Sequence, residues 1–386
     1  MFERIWRASL APLVAAAAAI VISSIALVIS GNNPVEAIVE MWKTIDSTAA
    51  IVDIINTAVP LYISGVAVAI GFKMNLFNIG SNGQYILAAL VAGWAGAEVS
   101  LPPLLHVPFV FLVAMTVGGS WALIAAILSV TRNVNVVVST IMLNYIGIGL
   151  SAFLLSEYFR DSENGGLVAQ TELMPASARL PELDPIFEFF GFHFGERVDL
   201  LGFLPFAILL GIGYHVLLNR SLFGYELKLS GMNADAAQSA GVNPKKMVLI
   251  TLFMSGAVAG MIGLPFLLAD PSFLKYGDAF PVTLGFTGLG LALLGRNSPV
   301  GVAAAAVVWA TIEVATRRLG SLGIPPEIGK ILQGSFLLAA VIAYEVVRRR
   351  NDAAAAEDAA AATRDDRSPP PPPPPAPEPA PIGATS

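Results

Sequence analysis

A run of amides and glycines near residue 80 separates two long apolar segments. Its polar side chains are the first groups that could do chemistry. The stretch 71–90 reads GFKMNLFNIGSNGQYILAAL, and its hydrogen-bonding side chains include Asn75, Asn78, Ser81, Asn82 and Gln84. Backbone that leaves helical form inside a bilayer loses its internal hydrogen bonds, so it survives only against protein or a water-filled path. Two explanations are open: a broken helix beside a solute path, or a cytoplasmic turn between two membrane spans.

Further amides and hydroxyls lie within or beside the apolar runs, at Asn56, Thr57, Ser139, Thr140 and Asn144. These neutral groups suit a polyhydroxylated solute such as a nucleoside or a sugar. A charged solute would require a fixed counter-charge, and carboxylates are scarce: Asp53 and Glu313 lie near the ends of runs, and Asp270 borders one. For each Asn or Thr, hydrogen bonding between helices is an equally good explanation.

Motifs for catalysis and metal binding are missing from the sequence. Gly323–Lys330 (GIPPEIGK) resembles a phosphate loop, but its glycine spacing is too long and Ile331 replaces the Ser or Thr. His106, His193 and His215 are scattered, cysteine is absent, and no G-x-S-x-G occurs. We therefore expect no metal site, no bound cofactor and no enzymatic activity, ATP hydrolysis included.

Composition indicates a helical membrane protein with many spans. The 386 residues are 55% hydrophobic and only 13% charged, against about 25% charged in soluble domains. The net charge of −6 gives no indication of nucleic-acid binding. Apolar runs long enough to suggest membrane helices fall at 10–30, 52–71, 84–101, 107–130, 134–155, 200–218, 248–268, 281–295, 299–316 and 331–347.

Ten spans would place both termini on one side of the membrane. With that side cytoplasmic, 14 Lys and Arg residues lie inside and 8 outside, which satisfies the positive-inside rule. Arg317 and Arg318 fall on the outer side and fit poorly. The run 281–295 is short and rich in Gly, so it either spans or is re-entrant.

Residues 1–350 form the predicted transmembrane domain. Within it, 32–50 has apolar residues at helical spacing, which predicts an amphipathic helix on the outer surface. The segment 156–199 is the longest outer loop, either a plain connection or a docking surface, and 219–247 is the longest cytoplasmic loop. Residues 351–386 contain a proline run that cannot bury apolar surface, so we expect a disordered cytoplasmic tail.

A weak internal two-fold repeat is also indicated. Residues 71–93 and 280–302 each place a Gly-rich polar break beside small apolar residues, and the second contains Thr283 and Thr287. Paired interruptions in two halves point to a transport path. The alternative is close helix packing through small residues, which is also the prediction for Gly256-x-x-x-Gly260.

The cytoplasmic loop carries the signals of a short capped helix. Asn233 is a good N-cap, Asp235 lies in the first turn, Gly241 suits the position after the helix, and Pro244 prevents its continuation. These signals predict a helix over 234–240. Because two turns are unstable alone, this helix must dock on its own spans or on another protein.

Four stretches together resemble one family. The pattern Gly231-x-Asn233-x-x-Ala236-Ala237-x-x-x-Gly241, followed by the apolar SGAVAG at 255–260, resembles the coupling loop of ABC-importer permeases of the nucleoside, simple-sugar and branched-chain amino acid group. The stretches NLFNIGSNGQ (75–84), NVNVVVSTIMLNYIG (133–147) and LALLGRNSPVG (291–301) resemble further motifs of that family, its nucleoside type above all. Val136 departs from the pattern, where Glu is expected, so no role of that carboxylate is carried over.

The resemblance implies a type II ABC-importer permease fold in a bacterial inner membrane. It implies four partners: a second permease, a cytoplasmic ATPase that holds ATP and Mg²⁺, an extracytoplasmic substrate-binding lipoprotein and the lipid bilayer. The coupling residues would be Gly231, Asn233, Ala236, Ala237 and Gly241. Solute would pass near the polar groups at Asn75, Asn78, Ser81, Asn82, Gln84, Asn144, Thr283 and Thr287. The alternative function is an ion-coupled secondary transporter of a small polar solute that works alone.

Overall fold

The protein is helical throughout the part of the chain that its structure describes. The computed structural model describes residues 17–161, 168–189, 199–325 and 327–342, apart from residue 19, together with residues 346 and 349. Its one isolated bridge in these ranges joins Gln170 to Gly277. The predicted all-α fold is therefore confirmed. The predicted tail and the first residues of the N-terminal apolar run lie outside the described residues.

Each of the ten predicted apolar runs carries a helix in its described part. The helices are α1 (Ile20–Ile29), α2 (Pro34–Ile45), α3 (Thr48–Phe72), α4 (Ser81–Glu98), α5 (Pro103–Arg132), α6 (Val136–Glu157), α7 (Asp184–Phe189), α8 (Leu204–Arg220), α9 (Leu222–Met232), α10 (Ala234–Ser239), α11 (Pro244–Gly260), α12 (Leu264–Leu268), α13 (Leu284–Leu294), α14 (Pro299–Thr316) and α15 (327–342).

Five of the described helical stretches are long and apolar enough to cross a bilayer. They are α3, α5, α6, α11 continued into α12, and α14 continued to Gly320. The pair α8 and α9 makes a sixth only if it counts as one span, bent by 69°. α13 has 11 residues, about 17 Å of helix, which is well short of the roughly 30 Å hydrocarbon core.

Helices α3 and α11 form the centre of the molecule. An 18-residue apolar stretch of each is 72% buried, whereas that of α6 is 28% buried. Helix α6 therefore lies at the periphery. Glycines let α5 and α11 approach closely: a Cβ on Gly118 would lie 2.3 Å from the carbonyl oxygen of Gly256, and one on Gly260 would lie 2.2 Å from that of Ala114. The predicted packing role of Gly256-x-x-x-Gly260 is thus confirmed.

Local sequence signals account for the smaller helices. α2 is the predicted amphipathic helix: Asn33 caps it, and its apolar side chains Val35 and Trp42 are both 67% exposed. Val136 begins α6, where it is buried beside Ala126 and Leu252. An apolar side chain fits that position because its neighbours are apolar.

Candidate functional site

The first of the two polar breaks, within 71–93, begins with a tight turn that ends α3. Asn75 adopts left-handed backbone, with φ of 55°, a conformation that Asn tolerates better than most residues. The backbone N–H groups of Met74 and Leu76 both donate to the carbonyl oxygen of Gly71. A Cβ on Gly71 would lie 2.8 Å from the carbonyl oxygen of Leu76, so the turn requires glycine there.

Beyond the turn, buried amides bind one another. Asn78 and Gln84 exchange two side-chain hydrogen bonds of 2.9 Å, and Nδ2 of Asn78 also donates to Oγ of Ser255, again at 2.9 Å. Ser255 in turn donates to the carbonyl oxygen of Ala67 at 2.7 Å. Because these polar atoms are buried and mutually satisfied, they hold the start of α4 against α3 and α11.

The second polar break, within 280–302, lies directly against the first. Nδ2 of Asn82 donates to the carbonyl oxygen of Val282 at 2.8 Å, and its Oδ1 accepts from the backbone N–H of Gly285 at 3.1 Å. Oγ of Ser81 donates to the carbonyl oxygen of Gly285 at 2.8 Å, and that of Ser64 to Leu284 at 2.7 Å. The two interruptions are therefore one hydrogen-bonded unit.

The amide of Asn144 joins α6 to the same unit. Its Oδ1 accepts a hydrogen bond from the backbone N–H of Gly83. A Cβ on Gly83 would lie 2.8 Å from Cα of Asn144, so the two helices touch backbone to backbone. Trp121 supports α6 from α5 by donating from Nε1 to the carbonyl oxygen of Leu143 at 3.1 Å.

The predicted path residues divide into two groups. The buried ones each hydrogen-bond to protein, which is the interhelical role anticipated as an alternative, and they are Asn78, Ser81, Asn82, Gln84 and Asn144. Of the others, Asn75 and Thr283 are exposed and Thr287 is half-buried. A part for these residues in solute passage stays a prediction.

The capped helix forms as its sequence predicts. Oδ1 of Asn233 accepts from the backbone N–H groups of Asp235 and Ala236, each at 3.0 Å, and α10 runs from Ala234 to Ser239. Gly241 ends it with φ of 84°. The alanines do not share one environment, however: Ala237 is fully buried while Ala236 and Ala240 are exposed. One side of α10 thus docks on its own chain and another is free.

A direct contact joins the capped loop to the first break. Nδ2 of Asn75 donates to the carbonyl oxygen of Gly231 at 2.7 Å. A Cβ on Gly231 would lie 2.7 Å from Cα of Met74, so the two backbones are in contact. Beside them, burial lowers the pKa of Lys73, and the nearby positive charge of Lys228 lowers it further. Sequence reasoning found both segments but not that they touch, nor that α9 precedes the capped helix.

A polar cavity of about 560 Å³ lies near the other end of α3. Its lining includes Pro281 and Leu284 of the second break. Its walls carry the polar side chains of Asp53, Asn56, Thr57, Asp199, Asp270, Ser272, Glu313 and Arg317, and two aromatic rings, Phe266 and Phe273. Its lining residues on α3, Asp53 to Pro60, precede Met74 by 21 to 14 residues, or about 20–30 Å of helix. Sequence reasoning noted several of these residues singly, without any signal that they converge.

Arg317, which fits poorly in the charge distribution, has a local partner at this cavity. Its Nη1 lies 3.6 Å from Oδ2 of Asp53, and its Nη2 donates to Oγ1 of Thr57 at 2.9 Å. The ion pair offsets the positive charge that the predicted topology would place on the unfavourable side.

An acidic cluster lies in the long loop. One carboxylate oxygen from each of Glu182, Asp184 and Asp199 lies within 4.8 Å of the other two. Burial raises the pKa of Glu182, as do the charges of Asp199 and Asp184. Exposed carboxylates often gather in this way without a metal ion, so the cluster alone does not establish a metal site.

Comparison with known families decides the class of protein. Residues 50–341 match the profile of the branched-chain amino acid transport system permease component, which is more than half of the chain. The chain belongs to this permease family. The resemblance found in the sequence motifs is thereby confirmed, and the protein is a multi-pass membrane protein of the ABC transporter permease type.

Similar proteins match along most of this permease. The guanosine ABC transporter permease NupP of Bacillus subtilis is 29% identical over 87% of this chain and 94% of its own length. The glucose ABC transporter permease TsgB13 of Haloferax volcanii is 30% identical over 86% and 87%. The nucleoside ABC transporter permease NupB of Lactococcus lactis is 27% identical over 88% and 93%. No solved structure matches the permease.

Proposed function

We propose that this permease is the membrane subunit of an ATP-driven importer for nucleosides or related sugar-containing solutes. Its family and the names of its relatives support this. It works with a second permease, a cytoplasmic ATPase and an extracytoplasmic substrate-binding lipoprotein. ATP and Mg²⁺ bind to the ATPase, and this chain carries neither a cofactor nor a catalytic centre.

The proposed topology has ten spans in the bacterial inner membrane, with both termini cytoplasmic, and it counts the run 281–295 as one span although α13 within it has only 11 residues. The loop 219–247 then faces the cytoplasm, and 156–199 faces outward. The helices α4 and α13, which begin at the two breaks, take equivalent positions in a two-fold repeat. The direct bonding of the two breaks through Asn82 and Gly285 supports this pairing.

The contact between Asn75 and Gly231 is the observation on which the proposed mechanism depends. The exposed side of α10, with Ala236, seats in a groove of the ATPase. When the ATPase closes on ATP, it moves α10, and Gly231 passes the displacement to Met74 because their backbones touch. Coupling between distant sites needs such a contiguous physical element.

Movement of the first break reaches the second through Asn82. Because the two breaks form one hydrogen-bonded unit, displacement of the start of α4 pulls on 282–285. Access to the solute path then changes around 75–84 and 283–290. The exposed hydroxyl of Thr283 and the half-buried one of Thr287 are the groups of this region most available to a passing solute.

Two measurements test the proposal: which proteins co-purify with the permease, and which energy source drives uptake. Solubilised from its native membrane, the tagged permease should bring down an ATPase, and nucleoside uptake should survive ionophores but stop when ATP is removed. The ion-coupled alternative predicts the reverse: no ATPase partner, and uptake that collapses with the ion gradient. That second result would overturn the proposal.

A further inference from the structure

The cavity near the N-terminal end of α3 has the makeup of a small-molecule site. Its volume of about 560 Å³ falls within the roughly 300–1,000 Å³ that such sites occupy. Its lining combines proline, leucine and phenylalanine side chains with carboxylates, an amide, hydroxyls and a guanidinium. A suitable ligand therefore combines apolar surface with hydrogen-bonding groups.

The charges of the wall exclude one class of solute. Among the described residues that line it are four carboxylates, from Asp53, Asp199, Asp270 and Glu313, and one guanidinium, from Arg317. Arg317 is already paired with Asp53, so it is poorly placed to neutralise an anion. The carboxylates repel a phosphate, because like charges repel. Nucleotides and sugar phosphates are therefore rejected, whereas neutral hydroxyl groups donate well to carboxylates.

The aromatic part of the wall favours a flat ring system. Phe266 and Phe273 pack edge to face with centroids 5.2 Å apart, and Phe280 braces both rings at 5.6 and 6.1 Å. Each base of a nucleoside has a π-face that stacks on such rings. Glu313 adds a half-buried carboxylate that accepts no side-chain hydrogen bond among the described residues, although the charge of Arg317 acts on it. It is free to accept from a ribose hydroxyl.

We propose that this cavity is the outward-side binding site for an uncharged nucleoside, with the base on Phe266 and Phe273 and the ribose hydroxyls on Glu313 and its neighbouring carboxylates. The inference rests on the proposed import function and adds the position of the site. Pro281 and Leu284 of the second break line it, so movement of that break would change the shape of the cavity.

The absence of native cysteine allows a direct test by site-directed labelling. Ser272 lines the cavity and is exposed, so Ser272→Cys provides a thiol at its mouth. The full chain, in membranes with its partners, is labelled with a thiol reagent in the presence of guanosine or guanosine monophosphate. Ser100→Cys, in the exposed turn between α4 and α5, is the matched control.

Guanosine at about ten times its Kd should slow labelling of Ser272→Cys about tenfold, because mass action leaves few sites free. It should not slow labelling of Ser100→Cys, and guanosine monophosphate should protect neither. In the Ser272→Cys variant, the further substitution Glu313→Gln should weaken protection by guanosine. Glu327→Gln, which removes an exposed carboxylate outside the cavity, should not. Unaltered labelling at saturating guanosine in membranes that import it would overturn the site and leave the import function standing. Protection by the monophosphate equal to that by guanosine would also overturn it.

Discussion

Asn75 donates a hydrogen bond of 2.7 Å to the carbonyl oxygen of Gly231, 156 residues later in the chain. The two residues belong to different functional predictions, one to the break beside the solute path and the other to the loop that meets the ATPase. Their contact makes these two predictions parts of one mechanism. Seven residues after Asn75, Asn82 at the start of α4 bonds to Val282 and Gly285, and the neighbouring Pro281 and Leu284 line the cavity.

Removing the bridge between the two breaks should destabilise the permease. Asn82→Ala leaves the buried N–H of Gly285 without its partner, at a cost of about 1–3 kcal/mol, and also removes the part-buried bond to the carbonyl oxygen of Val282. We expect a clearly lower Tm in detergent. Asn32→Ala removes an exposed hydrogen bond from Nδ2 to the carbonyl oxygen of Ser30, at a half-buried position, and should leave Tm nearly unchanged. Equal Tm values for both variants would contradict the bridge.

Glycine substitutions test the same contact by steric means. In Gly285→Ala, the new Cβ would lie 2.4 Å from Cα of Asn82, so backbone must shift. Gly149→Ala meets nothing within 4 Å and gains up to about 1 kcal/mol of helix propensity. Thermal unfolding of the two variants side by side should show a loss in the first and none in the second.

Bulky substitutions on α10 should distinguish the side that docks on the ATPase from the side that stabilises the permease. Ala236→Trp changes an exposed side chain, so the permease should keep its Tm but lose its ATPase during co-purification. Ala237→Leu overfills a fully buried position, which costs about 1–3 kcal/mol, and should lower Tm. Retention of the ATPase by Ala236→Trp, together with normal uptake, would exclude the exposed side of α10 as the docking surface.

The positions of helices were readable from the sequence because their signals are local. The apolar runs, the Asn233 cap and the close packing at Gly256 and Gly260 depend on residues near one another in the chain. The convergence of Asp53, Asp270 and Glu313 depends on how distant helices pack, and no periodicity encodes it. Likewise, the alanines of α10 share a composition, but only the docked structure shows that Ala237 faces inward.

The acidic cluster predicts a pH dependence of stability. The pKa of Glu182 is raised above its ordinary 4.5 by burial and by Asp199 and Asp184, so the folded state binds this proton more tightly than the unfolded state. The contribution of Glu182 therefore favours folding below the unfolded pKa and is lost as pH rises through the folded pKa.

Glu182→Gln should accordingly raise Tm at neutral pH and flatten the fall in Tm just above pH 4.5. Glu188→Gln, which removes an exposed carboxylate on α7 outside the cluster, is the matched control. A lower Tm for Glu182→Gln at neutral pH would show that the glutamate is stabilised by a partner, such as a cation.

The coupling of ATP hydrolysis to uptake is tested most directly by Gly231→Ala in the reconstituted importer. The added Cβ would meet the backbone of Met74 at 2.7 Å and displace the contact with Asn75 without touching the exposed side of α10. Gly213→Ala, with nothing within 4 Å, is the control. We expect Gly231→Ala to retain its ATPase and its ATP hydrolysis while nucleoside uptake per ATP falls about tenfold, equivalent to about 1.4 kcal/mol of lost coupling. Uptake per ATP equal to that of the control, in a variant whose ATPase remains bound, would contradict the account.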